Sequence, residues 1–322
     1  MPQAPTPSRT TWGTGGLAEP APGTAYSQIL RGDSYAWWRS ALGVLLALSL
    51  WLLLGGAVAG LILGAAHSLG HSQMPEADFL AAARRYEFWE GMFSSHVQLA
   101  MGIPVALLMV WQWHQVRPRF VISVEGRIRW RFLLLCLCLA VAVFAVYVAT
   151  VPLRGGTLSW NPQPGFLGFL IVILLVTPLQ AAAEEFLFRG YLLQALGSLV
   201  AQPWFGVIAS ALLFALFHGT QNVPLFLSRF AFGLVVGWLV LRTGGLEAAI
   251  AAHVINNVFA FILAGVTSTI SAARTLTAVG WVQTFSDVAV YLIFSLLAAA
   301  LAWRLGLLRQ VPDRDRQTAR RA

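Results

Sequence analysis

The sequence predicts an all-α, polytopic membrane protein of about eight spans, and three observations carry that prediction. First, 58% of the 322 residues are hydrophobic and only 11% are charged. Soluble domains carry about 25% charged residues, so this chain has too few to solvate an ordinary surface. Second, the apolar residues fall into runs of the length a bilayer requires, about 20 residues at 1.5 Å rise each. Third, the charge sits mostly between or beyond those runs. All 21 basic residues are Arg, against 13 acidic ones. A net charge of +8 suits anionic lipid headgroups in this setting, and nucleic acid is not an expected partner.

The expected spans cover about 38–63, 93–113, 132–153, 166–196, 203–218, 223–241, 246–265 and 282–305. Residues 1–33, rich in Pro, Gly, Ser and Thr, read as a disordered tail and hold no compact apolar core of a signal peptide. Residues 34–306 form the bundle, with a catalytic core at about 165–265, and 307–322 a basic tail. The loop with Arg117, Arg119, Arg127, Arg129 and Arg131, and the C-terminal stretch with Arg304, Arg309, Arg314, Arg316, Arg320 and Arg321, are expected to be cytoplasmic by the positive-inside rule. Eight spans then place both termini inside and the acidic loop with Glu76, Asp78, Glu87 and Glu90 outside. Cys136 and Cys138 lie two apart on different helix faces and offer neither a disulfide framework nor a zinc knuckle. Small-residue pairs at Gly60/Gly64 and Gly233/Gly237 would let helices approach closely.

Ionisable groups inside hydrocarbon are costly unless paired or wet, so each requires a reason. The fourth span carries Glu184, Glu185 and Arg189, with Glu185 and Arg189 one turn apart and able to pair. Glu184 lies about 100° around the helix from Glu185, free to point elsewhere. The fifth carries Phe214 and His218, and the seventh His253 and Asn257, each pair again one turn apart. As structural elements, these groups could fix helix orientation or tie helices together. As chemistry, the set is complete for amide hydrolysis. Glu184 could activate water, His253 and Asn257 could donate to the oxyanion, and His218 could orient the water or protonate the leaving amine. Arg189 would pair with Glu185 and fix the helix. Glu184, His218 and His253 could instead hold zinc with an open fourth position, although no H-E-x-x-H occurs. A proton relay of Glu184, Glu185 and His218 is the transporter reading, weakened by the lack of an inverted repeat. Glu247 reads as a dipole partner at a helix N-terminus, with Asp287 near the mouth of the eighth span.

These motifs, EExxxR (Glu184, Glu185, Arg189), FxxxH (Phe214, His218) and HxxxN (His253, Asn257), resemble the CPBP family in order and spacing. That family comprises the CAAX prenyl endopeptidases and bacteriocin-processing proteins, also called Abi proteins. The resemblance covers about 165–265. It implies a helix bundle around a membrane-embedded catalytic cavity, an intramembrane endopeptidase with Glu184 as general base, catalytic His218 and His253, and Asn257 in the oxyanion hole. It also implies a membrane-associated, CAAX-like substrate, with a zinc-dependent and a metal-free mechanism both open. The alternative within the same fold is a non-proteolytic scaffold or bacteriocin-immunity protein. One conflict arises from the spans themselves. Glu184 and His253 fall on the cytoplasmic side of the midplane, whereas His218 lies about 20 Å from the inner end of a regular fifth span. They meet only if that span is irregular.

Overall fold

The computed structural model describes residues 16–155 and 158–313. Regular structure among them is helical, without strands. The principal helices are α1 (Trp37–Gly70), α2 (Glu76–Arg84), α3 (Trp89–Trp113), α4 (Trp130–Ala149), α5 (Phe166–Leu175), α6 (Thr177–Leu199), α7 (Pro203–Leu216), α8 (Val223–Thr243), α9 (Glu247–Thr267) and α10 (Trp281–Arg304). Six of these, α1, α3, α4, α8, α9 and α10, are long and apolar enough to cross a membrane, and the bent pair α5–α6 makes up to seven. Their outer faces are apolar: Leu53 and Leu61 of α1 are 71% and 76% exposed. A surface of this kind suits lipid rather than water. The protein is an integral, multi-pass membrane protein.

The expected count of eight is not reproduced, and local chemistry explains both departures. The expected fourth span is broken at Val176, where α5 and α6 meet at 43°. Pro178 lies in the first turn of α6. It lacks an N–H, and its ring clashes with the carbonyl four residues back, so a straight helix cannot pass through it. Thr177 at the break turns its hydroxyl to His96 Nδ1, 3.0 Å away. The expected fifth span is the 14-residue helix α7, about 21 Å long against a hydrocarbon core of about 30 Å.

Helix α7 runs antiparallel to α8 and packs on its glycines. A Cβ at Gly233 would come within 2.7 Å of Ala211 Cβ, and one at Gly237 within 2.9 Å of Val207. Gly60 and Gly64 have open space instead, so that pair joins no helices within the molecule. Where α7 ends, Arg229 of α8 reaches the His218 carbonyl (3.5 Å), while α8 itself begins only at Val223. By the register of the glycine contacts, the end of α7 at Leu216 lies level with Ser228, about 7.5 Å along α8 from its first residue. Asn222 of the turn after α7 donates to Thr277 O (2.8 Å) and Val279 O (2.9 Å), in the loop before α10.

Part of the expected disordered tail is packed. Tyr26, Ile29 and Leu30 are buried, Tyr26 donates to Val121 O, and Gln28 and Arg31 bond Gly197 O (2.6 Å) and Ser198 O (2.7 Å). Three side chains in a Pro/Gly-rich run anchor the segment without giving it any periodic pattern. Ala25 bridges Gln310, so both described ends of the chain lie at one end of the bundle. Residues 1–15 of the expected tail, and 314–322 of the basic tail, lie outside the described residues.

Glu247 is more than a dipole partner and is not at a mouth. It is fully buried and accepts from Arg129 Nε (2.8 Å), Nη2 (2.5 Å) and backbone N (3.0 Å). Arg129 Nη1 also bonds Thr243 O (2.7 Å), so one Arg of the basic loop clamps the start of α9.

Close approach also joins α2 to α3, where a Cβ at Gly91 would lie 2.0 Å from Ala83 O. Backbone cannot yield there. Gly91→Ala is expected to cost about 1–3 kcal/mol or more. Gly60→Ala, in open space on a helix, should hold stability or raise it by up to about 1 kcal/mol. Thermal unfolding of the two variants in detergent checks the contrast; equal midpoints would refute it.

Candidate active site

The bend at Val176 and the short α7 bring three sequence motifs to one cavity of about 800 Å³. Glu184, His218, His253 and Asn257 all line it. The cavity takes in His218 together with Glu184 and His253 although α7 begins at Pro203 as expected. His218 follows the helix end, with Nδ1 2.6 Å from Phe214 O and its ring 4.5 Å from the Phe214 ring. Phe214 is the pivot of the wall, since its ring also lies 5.8 Å from that of His253. Helix α6 widens into a π-helical stretch over Glu185–Leu192, a local feature common at functional sites.

Adjacent carboxylates serve different places. Glu185 is fully buried and Glu184 7% exposed; only Glu184 faces the cavity. Behind it, Glu185 Oε1 accepts from Arg189 Nη1 (3.0 Å) and lies 2.7 Å from His253 Nδ1. Arg189 is fully buried as well. Its guanidinium sits 4.1 Å from the centre of the Phe214 ring and 5.4 Å from that of Phe232, a cation–π arrangement. The expected Glu185–Arg189 pair is therefore formed. Glu184 does not point away from it, because Oε2 lies 3.5 Å from His253 Nε2. His253 thus bridges the two acids, one at each ring nitrogen.

The network extends through a residue that motif spacing did not single out. Gln180 donates to Glu184 Oε1 (2.8 Å) and accepts from Asn257 Nδ2 (3.2 Å). Asn256 in turn donates to Asn257 Oδ1 (3.1 Å). Gln180 lies four residues before Glu184 in an apolar helix, the same one-turn rule that marks Glu185 and Arg189. His96 also lines the cavity. Its position near the end of the expected second span disguised it, but α3 begins four residues earlier, at Trp89.

The zinc arrangement of Glu184, His218 and His253 is not supported. Among the described residues no group of three or more His, Cys, Asp or Glu could hold a metal ion.

Fold and site together define a polytopic helical membrane protein with carboxylate, imidazole and amide groups gathered from three helices around an intramembrane cavity. Residues 165–259 match the family model of the type II CAAX prenyl endopeptidase Rce1-like proteins, and the chain carries a domain of that family. All four cavity-lining motif residues, Gln180 and the Glu185–Arg189 pair fall within the match. The chain is also similar to the uncharacterized protein YyaK of Bacillus subtilis (strain 168), 29% identical over 178 residues. That similarity covers 52% of this chain and 59% of YyaK, less than two thirds of the relative's length. No solved structure matches the chain.

Proposed function

We propose that the protein is an intramembrane endopeptidase that hydrolyses a peptide bond in a membrane-associated, CAAX-like substrate by a metal-free, Glu184-activated water. The observation that carries this reading is the division of labour between the adjacent carboxylates. Glu184 is open to the cavity, while Glu185 and Arg189 are sealed behind it. In this mechanism Glu184 takes a proton from water as the water oxygen attacks the scissile carbonyl. His253, oriented through Nδ1 by Glu185, and Asn257 donate to the oxyanion. Asn257 has a second N–H available beyond the one given to Gln180. Glu184 returns the proton to the leaving nitrogen, and His218 orients the water or assists that transfer. Arg189 and Gln180 are positioning residues, holding Glu185 and Glu184.

The placement of the chain ends follows from charge. Ala25 bridges Gln310, Ala18 bridges Val116, and Ser123 bridges Gly245. The Arg-rich loop therefore shares one end of the bundle with both described chain ends, and the positive-inside rule assigns that end to the cytoplasm.

The direct test is cleavage of a quenched-fluorescent peptide library, lipidated peptides included, by the protein in nanodiscs. Cleavage is expected to persist at full rate after treatment with a zinc chelator. A rate lost to the chelator and restored by zinc would overturn the metal-free mechanism. A folded wild type that cleaves nothing would favour a scaffold of the same fold.

A further inference from the structure

Two guanidiniums stand at the far end of the cavity from the chain termini. Arg229 lies on α8 three residues, or about 4.5 Å of helix, from Phe232, whose ring is 5.1 Å from that of His253. It is half-buried and bonds only neutral groups, Gln221 Oε1 (2.8 Å) and His218 O (3.5 Å). Arg274, from the short helix Ile270–Arg274, holds its guanidinium 5.2 Å from the centre of the Tyr86 ring. Both line the cavity, and among the described residues neither is ion-paired. The cavity's own carboxylates are engaged elsewhere. Glu184 is bonded by Gln180 and faces His253, and Asp287 accepts from Tyr147, Gln283 (2.7 Å) and Ser228 (3.3 Å). Cavity-lining cations with no counter-charge are candidates to bind an anionic group.

We propose that Arg229 and Arg274 form a carboxylate site that takes the free carboxyl terminus of the substrate, an inference that rests on the peptidase reading of the same cavity. Guanidinium forks match a carboxylate in charge and geometry. The free carboxyl terminus is the one carboxylate that every peptide substrate carries, and an internal-Asp probe separates it from an acidic side chain. The two arginines are specificity residues: they fix where the substrate ends relative to Glu184.

The test separates this site from catalysis by measuring binding in the Glu184→Gln background. The probes are a fluorescent apolar peptide with a free carboxyl terminus, its terminal amide, and an amide carrying one internal Asp. Nanodiscs of neutral lipid keep anionic headgroups from competing. A carboxylate held by charged donors should make the free acid bind about ten-fold tighter than the amide. Arg229→Gln/Arg274→Gln should bring that ratio to about two or less, and Arg274→Glu, at an exposed position, should make the acid the weaker ligand. Equal binding of acid and amide before the arginines are changed would overturn the proposal. An internal-Asp amide that binds as tightly as the free acid would overturn the terminal assignment. Failure of wild type to cleave any peptide would count against the peptidase reading and leave the acid-to-amide ratio to decide the arginine site.

Discussion

Glu184→Gln is expected to lower kcat for peptide cleavage by about 10³-fold, within the 10²–10⁴ that a positioned general base contributes. The change is close to isosteric. The substituted amide would keep an oxygen for Gln180, which now donates to Glu184 Oε1 at 2.8 Å, and would leave the Glu185–Arg189 pair untouched. What it loses is the capacity to accept a proton from water. The loss should therefore fall on kcat, with KM little changed, as for an interaction made only in the transition state. Glu185→Gln is the informative companion. Glu185 does not open on the cavity, so its replacement should act through the orientation of His253 and reduce kcat less. Cleavage rates and thermal midpoints measured side by side decide the matter. A Glu184→Gln enzyme within ten-fold of wild type, or a Glu185→Gln enzyme more damaged at equal stability, would remove Glu184 from the role of base.

Fold class and motif residues were legible because hydrocarbon imposes simple rules. Apolar length reports a span, and a carboxylate or imidazole inside one requires an explanation. The same rules misjudge two kinds of position. Helix breaks are invisible to composition: Pro178 sits in an apolar run that reads as one span, yet α5 and α6 bend by 43° there. Hydropathy also cannot distinguish a short apolar helix from a full crossing, so α7 passed as a span although it stops at Leu216. Neutral and peripheral partners were harder still. Gln180 carries no charge to draw notice, and Arg274 belongs to a five-residue helix outside the spans. The position of Arg129 in an Arg-rich loop hides its buried pairing with Glu247. Only the fold distinguishes that arginine from neighbours such as Arg127, whose side chain is 74% exposed.

Arg189→Met is expected to be the most destabilising single change near the site, costing about 3–5 kcal/mol. Arg189 and Glu185 are both completely buried. Removal of the cation leaves the buried Glu185 carboxylate with His253 alone, at 2.7 Å, and no guanidinium beside it. Methionine fills much of the space beside Phe214 and Phe232, so a cavity is a minor part of the cost. Most of it arises from uncompensated charge. Neutralising the other partner should then recover stability: Glu185→Gln/Arg189→Met is expected to be more stable than Arg189→Met alone, because a buried pair replaced on both sides is far less costly than one broken. The same double variant should remain slow in cleavage, since a neutral amide no longer orients His253 through a charged hydrogen bond. Thermal unfolding of the four proteins of this cycle in nanodiscs measures the coupling. Additive losses would mean that Arg189 is held by Phe214 and Phe232 rather than by Glu185. Stability restored together with full activity would remove Glu185 from the positioning of His253.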